Sequence, residues 1–391
     1  MSEKRWIAII VILFALVTGS IALIVFTLIT KSNTTREEPV RSPAVASEKQ
    51  VPGPAATQEE PIPSPAGEGE GSIRLQFRPE PTESRTVRVN SKLESTYPSP
   101  QGQERMEFIT TFTAEIRPTA IADDGTVTLK ITLLEMSRND SMKSNNTSLL
   151  QYDSTKNSHE YSVSNAQYDA AIGESLTVLA SARGEIIELK LDDFYTAAGA
   201  KRMKYEDETY RRLPGGKRGE AIIKETNEEY GSPEKRQHAY ETEAPKSLLI
   251  GSDQLRLLVS NLLVPLAREP VKPGAEWNGP VMVSIEYPTE MAGTYTLKNV
   301  EDAVCTIQAR ARRNPEDKLP SGPARRYAMT SKLGGTYQAT LKVDRATGSL
   351  LSRESVMTLT GNIFRPGSQS ANPEGDVPVT IEATTTVETV K

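Results

Sequence analysis

Residues 108–133 read FITTFTAEIRPTAIADDGTVTLKITL, and the fold turns on how they alternate. Phe108, Thr110, Phe112, Ala114 and Ile116 share one face of an extended chain, with Ile109, Thr111, Thr113 and Glu115 on the other. Asp123-Asp124-Gly125 then makes a tight turn, since Asp and Gly accept a positive φ. Beyond it Val127, Leu129, Ile131 and Leu133 face one way, and Thr126, Thr128, Lys130 and Thr132 the other. A period of two on both arms predicts a half-buried antiparallel hairpin. A lone hairpin is marginal in water, so the flanking sequence must supply further strands.

Upstream, Ile73-Arg74-Leu75-Gln76-Phe77 alternates until Pro79 and Pro81 break it, and Thr86-Val87-Arg88-Val89 resumes. Residues 137–160 are polar and predict a long loop. Leu176, Val178 and Ala180 then lead through Arg183-Gly184-Glu185 to Ile186-Ile187-Glu188-Leu189, a second hairpin. The pattern turns helical over 192–212 and 219–230, and Ser232-Pro233-Glu234 is a good helix start, with Ser capping and Pro at the first position. Ser252-Asp253 opens a stronger helix in which Leu255, Leu258, Val259, Leu262 and Leu263 recur at i, i+3, i+4, i+7 and i+8. That stripe is either core packed on a sheet or the wall of an apolar groove. After Pro265, residues 268–277 form an extended turn ending in Trp277. Alternation returns from Val281 and continues to Val390.

The predicted class is α+β and mainly antiparallel β, with units 73–190 and 281–391 joined by a helical connection over 191–280. Phe112-Thr113-Ala114 and Asp124 to Lys130 can be laid on Tyr295-Thr296-Leu297 and Asp302 to Gln308, and Gly184 on Gly348. Hairpins resemble one another by composition, so the alignment leaves duplication open.

Trp6 to Thr30 is a 25-residue run without a charge or a proline. At ~1.5 Å rise per residue it exceeds the ~30 Å hydrocarbon core of a bilayer, so residues 1–32 are expected to form a transmembrane signal anchor. A cleaved signal peptide has a shorter apolar core and a small-residue cleavage site, which this run lacks. Ser20 stands where a lipoprotein needs Cys. Lys4 and Arg5 before the run, and the large body after it, predict a cytoplasmic N-terminus and an extracytoplasmic body, although Lys31, Arg36 and Arg41 leave the charge rule undecided. Residues 33–72 hold seven prolines and almost no large apolar residue, and are expected to be a disordered Pro/Glu-rich linker.

Net charge is −5, with +2 on residues 1–32, −4 on 33–72 and −3 on 73–391. The body carries no block of like charge for a nucleic-acid backbone, so nucleic acid is excluded as a partner. Cys305 is the sole cysteine, so no internal disulfide forms. It falls on the apolar face of its strand with Ala303 and Ile307, which predicts a buried structural thiol. His159 in a polar loop and His238 in a charged helix are expected to be solvated, and Glu206-Asp207-Glu208 reads as helix surface. No nucleophile elbow, zinc-binding helix or phosphate loop occurs. No catalytic residue, metal ligand or cofactor is assigned.

Leu255-x-x-Leu258, Leu262-Leu263-Val264-Pro265-Leu266, Pro270-Val271-Lys272-Pro273-Gly274-x-x-Trp277, Tyr295-Thr296-Leu297 and Asp344-x-x-x-Gly348-x-Leu350 occur in an order that resembles a family of exported, mostly bacterial β-rich domains of unknown function. The resemblance covers most of 73–391, rests on turn and core positions, and implies location and fold class only. The leading expectation is a non-catalytic cell-envelope protein anchored through Trp6 to Thr30, which binds or scaffolds another envelope component. The alternatives are a lipid or lipoprotein carrier with an apolar groove under the 253–264 helix, and a hydrolase using carboxylates.

Overall fold

The hairpin over 108–133 lies in one half of a twelve-stranded, wholly antiparallel sheet in the computed structural model. The structure describes residues 71–391 apart from 82, 100–101, 144–146, 157–162, 213–216, 240–251, 284–288, 316–330, 365–375 and 391. The expected anchor, nearly all of the linker, and His159 lie outside the described residues. The chain divides between Ser72 and Ile73, and the second unit carries the sheet.

Its strands are β1 (Arg85–Ser99), β2 (Gly102–Ile121), β3 (Val127–Met142), β4 (Thr147–Asp153), β5 (Ser175–Ala180), β6 (Ile186–Lys190), β7 (Glu276–Val283), β8 (Thr289–Glu301), β9 (Val304–Arg313), β10 (Ser331–Asp344), β11 (Leu350–Phe364) and β12 (Asp376–Val390). They run in the order β6-β5-β3-β2-β1-β12-β11-β10-β9-β8-β7, with β4 added beside β3. The helices are α1 (Val163–Ala171), α2 (Asp192–Arg212), α3 (Lys217–Tyr230), α4 over 233–239, and α5 (Ser252–Leu262). The α+β, mainly antiparallel class is therefore present. Among the described residues no helix is long and apolar enough to cross a membrane.

Where structure and pattern differ, the cause is local. Thr113 pairs Glu135 and Ala114 pairs Leu133, so Leu134 is an extra residue that bulges out of β3. Before it Val127, Leu129, Ile131 and Leu133 are buried; after it Met136, Arg138, Asp140 and Met142 are. A bulge of one residue exchanges the faces of a strand. The stretch expected to be a loop from 137 is therefore the end of β3, followed by β4. Residues 73–77, expected as a strand, belong to no strand of the sheet and are held by one antiparallel bridge, Ile73 to Val271, and by Phe77 N–H donating to Ala182 O. Glu206 is buried rather than at the helix surface. Arg202 donates to it at 2.6 Å, and the fully buried Arg236 reaches Glu206 and, at 2.8 Å, Asp207. His238 is exposed on α4. Cys305 is buried, and burial pushes its thiol pKa up, so little of it is thiolate near neutrality.

Candidate functional site

The inner face of the sheet is built in rows of directly paired residues. One row runs Met136, Phe112, Val89, Val387, Arg353, Leu341, Ile307, Leu297 across eight strands, all buried. Seven of its members are apolar and one is a cation. The next row is small over Thr110, Ser91, Thr385, Ser355, Ala339 and Ala309, and is flanked by Arg138 at one end and by Tyr295 and Trp277 at the other. Small side chains there leave the space beside the row less filled than its neighbour.

Into that space come α5 and the extended segment after it. Leu266 N–H donates to Arg183 O at 2.8 Å, which ties the segment to the β5–β6 turn. Trp277 Nε1 on β7 donates to Pro265 O at 2.9 Å, and its ring stacks on Tyr295 with centroids 6.0 Å apart. Residues 264–266 thus lie between β6 and β7, the two ends of the main strand path, which do not pair with each other. Pro280 on β7 has no N–H to offer along that edge.

Between these parts lies a cavity of about 300 Å³. Ile186 of β6 and Pro280, Val281 and Met282 of β7 form its two sides, and Tyr295, Ala309, Tyr337, Leu341 and Arg353 form its floor. Arg256, Ser260 and Leu263, one face of α5 and its continuation, form its roof. Tyr295 Oη donates to Pro280 O at 2.9 Å, and burial raises the phenol's pKa, so it remains a neutral donor. Glu185 and Glu290 also reach the lining. Glu185 accepts from Arg183 at 2.6 Å, and Glu290 is exposed, as is Arg256.

Leu255, Leu258, Val259, Leu262 and Leu263 are all at most 3 % exposed. Only Leu263 lines the cavity; the other four do not. The open side of this helix is its Arg256–Ser260 side, not its leucine stripe.

Arg353 is the residue that pattern reading passed over. It is 5 % exposed and donates from Nη1 to Asn261 Oδ1 at 2.6 Å and Ser260 O at 3.4 Å, and from Nη2 to Leu263 O at 3.1 Å. A cation at the last carbonyls of α5 complements the helix dipole. Among the described residues it makes no ion pair, and its Nε and the Nδ2 of Asn261 are buried without an acceptor. The sequence did carry a signal: Arg353 shares the inward phase of β11 with Ser355, Met357 and Leu359, where an unpaired charge is unusual.

A second recess lies by β3, β4 and α1. There Arg138 Nε donates to both carboxylate oxygens of the fully buried Asp140, at 2.9 and 3.0 Å. Burial still holds the Asp140 pKa above the usual carboxylate range. Tyr152 Oη donates to Asp169 at 2.6 Å.

Residues 217–350 match the model of a family of unknown function, DUF6263. The matched span starts in α3, includes α5 and its continuation, and ends at the first residue of β11. No curated protein matches the chain. Among solved structures the chain is similar to one described as lipid–protein interactions in lipovitellin, at 8 % identity and TM-score 0.43, covering 80 % of this chain and 25 % of that one. It is also similar to DynF from the dynemicin biosynthesis pathway of Micromonospora chersina, at 8 % identity and TM-score 0.17, covering 84 % and 94 %. The chain spans only a quarter of the lipovitellin chain's length.

Proposed function

We propose that this chain is a membrane-tethered, non-catalytic cell-envelope protein whose body holds a small apolar or amphiphilic ligand. The observation that carries the reading is the cavity of about 300 Å³ between the unpaired edges β6 and β7, a size at the lower end of ligand sites. Its lining is mostly apolar; of its polar members, Ser260 Oγ donates to Leu257 O and Glu185 is held by Arg183. Scaffolding of another envelope protein and hydrolysis by carboxylates are the rival readings, and no specific geometry favours either.

Equilibrium dialysis of labelled 1-decanol against the full-length protein in lipid nanodiscs tests this, with empty nanodiscs as the blank. Saturable uptake of one molecule per chain is expected. Ala309→Leu, which fills the cavity from its floor, is expected to abolish it, and Met282→Phe at the half-buried rim to weaken it. No uptake, or uptake that both variants leave unchanged, would remove the binding role.

The anchor and tether belong to the same proposal. The uncharged run over 6–30, the short basic N-terminus and the Pro-rich stretch over 33–72 support a single-pass protein with its body outside the cytoplasm. A reporter active only in the cytoplasm, fused after Lys391, is expected to be silent; a signal from it would reverse the orientation.

Duplication of a five-stranded meander, β1-β2-β3-β5-β6 and β7-β8-β9-β10-β11, is proposed as the origin of the sheet. Single-residue irregularities at Thr119 on β2 and Lys298 on β8 stand shortly before corresponding hairpin turns. On these pairings Ile116, opposite Ile131, corresponds to Tyr295, opposite Ala309, a register four residues away from the one that lays Phe112 on Tyr295.

A further inference from the structure

We infer that the cavity takes a monocarboxylate amphiphile of about ten carbons, with its carboxylate on Arg353 and its chain between Ile186, Val281 and Leu341. This rests on the binding role proposed above and names the ligand class. A cavity of about 150 Å³ accepts benzene, with six heavy atoms, so one of about 300 Å³ accommodates roughly twelve, the number in decanoate.

The charge argument is independent of size. Arg353 stands alone among seven apolar partners in its row, and every acceptor it reaches is neutral. The last carbonyls of a helix supply only about half a charge, so a buried guanidinium with them alone is incompletely compensated. Arg353 Nε, on a residue of the cavity floor, is buried with no acceptor among the described residues. A carboxylate brings one negative charge and several acceptor sites, which matches one guanidinium. A phosphate monoester brings close to two charges and would leave one uncompensated. The other charges in the lining do not change the sign: Glu185 is neutralised by Arg183, and the exposed Arg256 and Glu290 carry opposite charges that cancel in the sum.

The test is dialysis of the full-length protein in nanodiscs against labelled decanoate, 1-decanol and octyl phosphate, each below the concentration at which it forms micelles, with empty nanodiscs as the blank. Decanoate is expected to bind one per chain and about tenfold or more tighter than 1-decanol, the scale of a charge-assisted hydrogen bond. In Arg353→Gln the decanoate-to-decanol ratio is expected to fall to near one, and in Arg353→Lys to stay well above it. Loss of a helix cap alone would weaken both ligands together and leave the ratio intact. If Arg353→Gln does not fold, the ratio on the unaltered protein decides. Equal binding of decanoate and 1-decanol overturns the headgroup assignment while leaving the binding role standing, and binding of neither overturns both. Octyl phosphate binding tighter than decanoate overturns the choice of a carboxylate.

Discussion

Leu258→Ala is expected to destabilise the body by ~2–5 kcal/mol, the range for deleting a buried leucine side chain that its surroundings cannot close over. Leu258 is 1 % exposed, with Leu255, Leu257, Val259 and Leu262 of the same helix equally buried, so the lost contacts have no water to replace them. It does not line the cavity. Thermal or urea unfolding followed by near-ultraviolet circular dichroism should therefore shift to a markedly lower midpoint, while uptake of 1-decanol per folded chain is retained. An unchanged midpoint accompanied by lost uptake would mean that the leucine stripe is itself the ligand wall, and the cavity assignment would move to the other side of α5.

Gly184→Ala is expected to have an effect of similar size for a different reason. Gly184 has φ +71°, and a Cβ there would stand 2.3 Å from Val264 O. The left-handed conformation alone costs an alanine about 1–2 kcal/mol. The collision must in addition push residues 264–266 away from the turn, which breaks the bond from Leu266 N–H to Arg183 O. A total of roughly 3 kcal/mol or more follows, within the range of severe single substitutions. Gly274 separates the two contributions, because its φ is +90° and nothing lies within 4 Å of its missing Cβ. Gly274→Ala should show the conformational part only. If the two variants unfold at the same midpoint, the segment over the β5–β6 turn is not held as described.

The parts of this fold that are legible in the sequence are those where one period persists. The β2–β3 hairpin and α5 are such cases, since burial on one face is what imposes a period of 2 or 3.6 on the residue types. Legibility fails where a local event resets the period. Leu134 reverses the faces of β3 in mid-strand, so its buried Arg138 and Asp140 read as polar loop. Arg85–Ser99 forms fifteen residues of β1 although Asn90 to Glu94 is mostly polar, because β12 and β2 pair with it on both sides. The cavity is harder still to foresee. Its walls come from Ile186 and from Pro280 to Met282, which meet only because the sheet brings its two ends to one segment, and nothing local in either strand records that meeting. Arg353 is the intermediate case: its phase was readable, but its role depends on the end of a helix that precedes it by some ninety residues.

The pairing of β1 with β12, Val89 opposite Val387 among its members, has a consequence for how the chain reaches this state. Within the sheet β12 alone joins the two meanders, pairing β11 on one side and β1 on the other, and at this seam its partners on β1 are separated from it by about three hundred residues of sequence. Each meander can assemble from neighbours, with fast, short-range closures, whereas the seam must wait for both. Closing so long a loop adds little to the equilibrium, because loop entropy grows only with the logarithm of length, but it makes the joining step late. Until then β1 and β12 are open edges with alternating apolar residues, able to pair with the same strands of another copy. The seam is thus the point at which a slow-folding chain is most exposed to intermolecular exchange, and the point at which a chaperone would have most to shield.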